Sequence, residues 1–366
     1  MNLRFFFVLL ATGLLSFGLS FVTQRAALRF GAVSVPSGRR QHKAPTPQLG
    51  GLGIGLTLAL FLLGGGFAGW FTNTIIHPQQ LIGFGIGLAL ILAVSALDDI
   101  YDLPAAARFP LYGIACLIVV LAGTTVRAVT CLDGHACSLL WWQSAPVRLG
   151  GWTFQLSLPG DVLAWLWLFF VTFTTKLLDG LDGLVTGQTL LGTLFIIVLT
   201  LSPAFLQPPV ALLAIIVFGS FAGFLPANFP PARQFLGESG SVLAGFSLAF
   251  LSLVSGAKMA IAFLALGLPL VDMLVVMLGR IRRGQPFWVG DRTHLHFLLQ
   301  EAGLRPLQAA MTFWVTTGIF GAAALSMKTG GKILLACLMV LVTLELRAWC
   351  HRRIRARTGK SQAEYD

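Results

Sequence analysis

"ILAVSALDDIYDLP", Ile91 to Pro104, starts as a greasy run and ends acidic. Its first half closes an apolar stretch long enough to cross a bilayer, and such stretches recur along the whole chain. Three carboxylates, Asp98, Asp99 and Asp102, then follow within five residues. Acid is scarce here: 14 of 366 residues are Asp or Glu, 11% are charged and 56% are hydrophobic. A soluble protein carries about 25% charged residues. The pattern predicts an all-α, polytopic integral membrane protein. Eleven transmembrane helices fit it, at roughly 5–22, 50–70, 80–97, 110–128, 161–178, 184–202, 208–225, 241–256, 259–278, 307–327 and 332–349. Residues 1–349 then form one multi-span domain, and 350–366 a basic cytoplasmic tail.

The net charge is +11, and its placement decides what it means. With the N-terminus outside, 19 of the 25 lysines and arginines fall at cytoplasmic level and 6 outside. That asymmetry follows the positive-inside rule. The basic tail suits an anionic inner leaflet. No aromatic platform accompanies it, so nucleic acid is not the expected partner. A cleaved signal peptide is disfavoured, because the stronger positive flank, Arg25 and Arg29, follows the first span. Cys131 and Cys137 share an outside loop, where a disulfide and two free thiols are both open readings.

Nine acids map to the cytoplasmic face: Asp98, Asp99, Asp102, Asp179, Asp182, Glu238, Asp272, Asp291 and Glu301. The third and fifth spans end there. A helix C-terminus is the negative end of the dipole and disfavours carboxylates. Yet Asp98 and Asp102, four apart, and Asp179 and Asp182, three apart, sit at those ends and can share a face. Like charges so placed call for a cation. A hard ion such as Mg2+ (Mn2+ is the alternative) takes one or two carboxylates plus substrate phosphates.

Three further stretches share that face. In "FTTKLLDGLDGLVTG", Phe173 to Gly187, glycines after each Asp allow tight turns. In "GFLPANFPPARQFLGESGSVLAG", Gly223 to Gly245, Gly237, Gly240 and Ser241 around Glu238 are either a backbone cradle for phosphate or an ordinary turn with a helix cap. "RIRRGQPFWVGDRTHLHFLLQEAG", Arg280 to Gly303, joins a basic run to His294 and His296 and suggests anion contact more than metal ligation. "GRRQHKAPTPQLGGLGIG", Gly38 to Gly55, brings bases to the membrane surface before the second span.

In this order the motifs resemble the polyprenyl-phosphate N-acetylhexosamine-1-phosphate transferases, glycosyltransferase family 4, over about Arg39 to Gly303. The span count and the Asp98-Asp99-x-x-Asp102 form look more like the undecaprenyl-phosphate N-acetylglucosamine-1-phosphate branch than the phospho-N-acetylmuramoyl-pentapeptide branch. The resemblance implies a bacterial inner-membrane enzyme whose partners are polyprenyl phosphate and a UDP-N-acetylhexosamine, with a homodimer left open. It implies that Asp98 and Asp99 serve the lipid phosphate, that Asp179 supports the site, and that Asp182 and Glu238 hold Mg2+. Asn228 and Phe235 would lie near the uridine, with His294, His296 and Arg282 or Arg283 near the sugar and diphosphate. His42 and Lys43 would lie near the lipid phosphate. Asp102 and Lys176 complete the substrate contacts. Two positions depart from the family's pattern: Glu238 stands where a shorter Asp is usual, and Lys176 where Asn is usual. A transporter and a non-catalytic scaffold are the rival classes. Acids gathered at one face rather than the midplane speak against the transporter.

Overall fold

The computed structural model describes residues 3–34, 45–71, 75–131, 135–149, 152–256, 259–285 and 292–358. The helices are α1 (Leu3–Phe30), α2 (Gly50–Phe67), α3 (Pro78–Tyr101), α4 (Ala105–Leu121), α5 (Gly160–Leu178), α6 (Leu184–Leu201), α7 (Pro208–Asn228), α8 (Gly237–Val254), α9 (Met259–Ala265), α10 (Gly267–Arg282), α11 (Leu295–Glu301), α12 (Pro306–Ser326) and α13 (Thr329–Thr358). Among the described residues, nine are long and apolar enough to cross a membrane, or ten with α9 and α10 taken as one broken span; α4 is shorter. Proline opens α3, α7 and α12, where its missing N–H would have no helical partner anyway.

The structure departs from the sequence expectation in several places, α1 among them, which runs on to Phe30. The ninth span is not straight: α9 and α10 meet at 80°. Pro269 explains the break, because its ring excludes the carbonyl four residues back, at Ala265, where α9 stops. α4 begins and ends earlier than expected, closing before Gly123, whose φ is +92°. α13 runs unbroken past Trp349 to Thr358, so the basic segment begins as helix. Short antiparallel strand pairs occupy the segment between α4 and α5. One of them, β1 (Ala128–Thr130) with β2 (Ala136–Ser138), is closed by a Cys131–Cys137 disulfide.

α8 is the axis. It is 89% buried over its apolar window and packs against α2, α3, α5, α6, α7 and α9. Small residues allow this. A side chain at Gly240 would strike Gly51 of α2, and one at Gly245 the backbone of α5. Between helices already out of water, such close approach supplies the packing energy. The acidic cleft sits at the N-terminal end of α8.

Candidate active site

The ends of α3, α5 and α7 and the starts of α4 and α8 converge on one cleft of roughly 570 Å³. Asp98, Asp99, Asp102, Lys176, Asp179, Asp182, Asn228, Phe235 and Glu238, all singled out in the sequence, line it. Asp102 is the αL cap of α3, at φ 51°, a conformation that Asp tolerates better than most residues.

Asp99 reaches across from α3 to the first turn of α8. Its carboxylate accepts from the Glu238 N–H at 2.8 Å, the Ser239 N–H at 3.2 Å and the Ser239 hydroxyl at 2.8 Å. Those amides are among the four that a helix start leaves unpaired, and the positive end of the dipole favours the carboxylate. Of the two sequence readings of this turn, the structure therefore shows the helix cap; the cap simply comes from another helix. Gly237 is required in the turn. Its φ is +75°, and a side chain there would press on both Asp99 oxygens.

A charge network occupies the opposite wall. Arg108 of α4 pairs with Asp98 and lies 3.6 Å from Glu238 Oε1. Lys176 Nζ meets the same oxygen at 2.6 Å, and the Tyr112 hydroxyl donates to it at 3.1 Å. Lys176 closes the last turn of α5, where a cation suits the dipole. The sequence reading passes over Arg108 and Tyr112. The available signal was their spacing: four apart on one helix face, just beyond Asp102.

Asp179 and Asp182 have no cationic partner among the described residues. Asp182 accepts the Ala232 N–H at 2.9 Å. Burial, with the charges of Asp99, Glu238 and Asp182, pushes the Asp179 carboxyl well above the usual range. Asp98 Oδ1 is buried without a hydrogen-bond partner. Among the described residues, no three His, Cys, Asp or Glu side chains are grouped so as to hold a metal ion by themselves. Crowded hard-oxygen donors nonetheless fit an open divalent site that draws further ligands from phosphate and water.

Asn228 lines the cleft but is tied up in hydrogen bonds, and the expected histidines and arginines sit off it. Asn228 is buried, its Oδ1 accepting from the Gly183 N–H and the Thr186 hydroxyl while its Nδ2 donates to the Gln234 carbonyl, so it ties two loops together. His294 and His296 are buried and do not line the cleft, whereas Phe297 and Gln300 of the same segment do. His294 Nδ1 lies 3.1 Å from Asp272 Oδ2, and Asp272 also pairs with Arg347. His296 packs against Gly180, and burial reinforced by His294 pushes its ring down to about 3. It is therefore neutral at pH 7. Arg282 and Arg283 are exposed at the end of α10, off the cleft. His42, Lys43 and Asp291 lie outside the described residues.

An apolar groove of roughly 510 Å³ runs beside the cleft between α4 and α5. Phe109, Gly113, Ile114, Leu117, Trp165 and Phe169 line it. Lys176 Nζ stands 5.3 Å over the Phe109 ring, so one lysine touches both groove and cleft.

The chain is 30% identical to the "probable undecaprenyl-phosphate N-acetylglucosaminyl 1-phosphate transferase" of Bacillus subtilis, over 84% of its own length and 80% of that protein's. It belongs to glycosyl transferase family 4. The profile of that family matches residues 81–256, which hold all six cleft carboxylates. The family relatives include the decaprenyl-phosphate N-acetylglucosaminephosphotransferase of Mycolicibacterium smegmatis, 28% identical over 87% of this chain and 83% of the relative. They also include a phospho-N-acetylmuramoyl-pentapeptide-transferase of Leuconostoc mesenteroides, 27% identical over 77% of this chain and 84% of the relative.

Proposed function

We propose that this protein transfers N-acetylglucosamine 1-phosphate from a UDP-sugar to polyprenyl phosphate at the cytoplasmic face of a bacterial inner membrane. A lipid phosphate oxygen attacks the β-phosphorus, the bond to UMP breaks, and a polyprenyl diphosphate sugar remains. This is the initiating step of a cell-envelope polysaccharide. The observation that carries the reading is the junction of a six-carboxylate, two-cation cleft with an apolar groove, in a chain of this family.

The protein's task is positioning and charge compensation. Arg108 and Lys176 receive phosphate oxygens where the groove meets the cleft. Asp98, paired to Arg108, orients the attacking phosphate. Asp99 acts through α8, by fixing where Glu238 stands. Phe235 offers a ring to the base. Asp182 and Glu238, with Asp179 behind them, would hold a divalent cation. Such an ion, when bound, neutralises the diphosphate and the departing UMP.

UMP release by the purified chain, supplied with polyprenyl phosphate and UDP-N-acetylglucosamine, tests the reading; no release from this sugar or its epimers would sink it. The groove gives a separable prediction. Gly113 faces Trp165 and Phe169 at 3.7 and 3.9 Å from an added Cβ. Gly113→Phe fills that space, and is expected to raise the KM for the lipid about tenfold while leaving the KM for the nucleotide sugar unchanged. Equal changes in both would place the lipid elsewhere. Orientation is testable through the disulfide, which suits an oxidising exterior. In intact cells an impermeant maleimide should label Cys131 and Cys137 only after reduction, in a chain lacking Cys116, Cys337 and Cys350. Labelling confined to opened membranes would reverse the topology.

A further inference from the structure

Lys176 and Glu238, the two positions at which the sequence departs from the family's pattern, are the two ends of one ion pair at 2.6 Å. Each side chain is 12% exposed. Among the described residues, Lys176 and the Tyr112 hydroxyl donate to one oxygen of Glu238, Oε1, and Arg108 lies 3.6 Å from the same oxygen. One oxygen of Glu238 is thus committed to the cations of α4 and α5. Lys176 also borders the apolar groove through Phe109. A lysine is a point charge on a flexible stem with three rotatable donors, so it can trade one anion for another without moving its backbone. Among the described residues, the cleft holds six carboxylates and two cations. An arriving phosphate needs one of those cations, and a divalent ion needs a released carboxylate. Swapping Glu238 for phosphate at Lys176 meets both needs and leaves neither Lys176 nor Glu238 unpaired, whereas breaking the pair alone would leave a buried charge uncompensated.

We propose that the Lys176–Glu238 pair is exchangeable: a prenyl-linked phosphate takes Lys176 from Glu238, and the freed Glu238 turns to a divalent cation beside Asp182. Phosphate and metal then bind with positive coupling, each raising the affinity for the other by the same factor. The inference rests on the transferase reading for the identity of the phosphate, and concerns how this chain admits it.

Mn2+ binding, followed by electron paramagnetic resonance on the full chain in detergent, tests the exchange with farnesyl phosphate as probe. Farnesyl phosphate should tighten Mn2+ binding to the wild type about tenfold, which is about 1.4 kcal/mol. Direct ligation of Mn2+ by the probe would do the same, so the variants decide. Lys176→Met removes the 2.6 Å hold on Glu238, leaving the Tyr112 hydroxyl and the longer Arg108 contact, and should tighten lipid-free Mn2+ binding about tenfold while weakening the probe. Glu238→Gln frees Lys176, and should tighten metal-free binding of farnesyl phosphate about tenfold. Lys176→Gln replaces Lys176→Met if the latter does not melt like the wild type. Lipid-free Mn2+ affinity that is unchanged or weaker without Lys176 makes the pair a fixed bridge and overturns the exchange. Failure of the transferase reading shows separately, as no UMP release by the wild type.

Discussion

Asp99→Asn is expected to lower UMP release by about 10²–10³-fold and to lower the melting temperature at the same time. The carboxylate makes three hydrogen bonds to the start of α8. Bonds to a charged group contribute about 1.5–3 kcal/mol each. The amide keeps one acceptor for Glu238 but turns an NH2 toward the Ser239 N–H, so two of the three are lost or reversed. A destabilisation of about 2–4 kcal/mol follows. Glu238 and Ser241 stand on the turn that Asp99 anchors, and a displacement of about 1 Å at reacting groups costs about 10² in rate. Asp182→Asn is the contrast. Asp182 accepts one backbone N–H, so turnover should fall with a much smaller change in melting. Paired turnover and melting measurements on both variants check this. If Asp99→Asn melted like the wild type yet lost turnover, Asp99 would act on substrate directly rather than through α8.

The sequence made the membrane class and the acidic face legible because both rest on composition and on runs of one character. Apolar stretches of bilayer length need no knowledge of tertiary structure. Nine of the chain's 14 acids were read onto one face; six of them line the cleft, while Asp272 pairs with His294 and Arg347, Glu301 pairs with Arg292, and Asp291 lies outside the described residues. Partnership was less legible. Lys176 and Glu238 were each noticed as departures, but 62 residues separate them, and only the fold sets α5 beside α8. Arg108 looked like one more cytoplasmic charge until α4 folded back on α3 and carried it to Asp98. His294 and His296 drew notice as a motif, yet burial removes them from the cleft wall and gives His294 to Asp272. A histidine's residue type does not encode its direction. The Asp99 cap was open between two readings for the same reason: the turn's N–H groups needed an acceptor, and nothing local said it would come from another span.

Gly51→Ala is expected to destabilise the protein by about 3 kcal/mol and to reduce turnover, although it adds only one methyl group. Its Cβ would fall on the backbone of Ser239 and Gly240, not on a side chain that can rotate away. Overpacking a close contact costs about 1–3 kcal/mol. Here α2 and α8 must also separate. The neighbouring backbone bonds, from the Gly50 N–H to the Phe235 carbonyl at 3.2 Å and from the Gly51 N–H to the Leu236 carbonyl at 2.8 Å, would lengthen together. Those bonds hold the segment that ends in Glu238, so the strain passes into the cleft. Gly64→Ala on the same helix is the control: nothing lies within 4 Å of its added Cβ. There the exchange should be neutral or stabilising by up to about 1 kcal/mol, through helix propensity alone. Thermal melting in detergent and UMP release should separate the two alanines clearly. Equal melting would mean that α2 and α8 are not in backbone contact at Gly51, and the account of how α8 is held in register with Asp99 would have to be rebuilt.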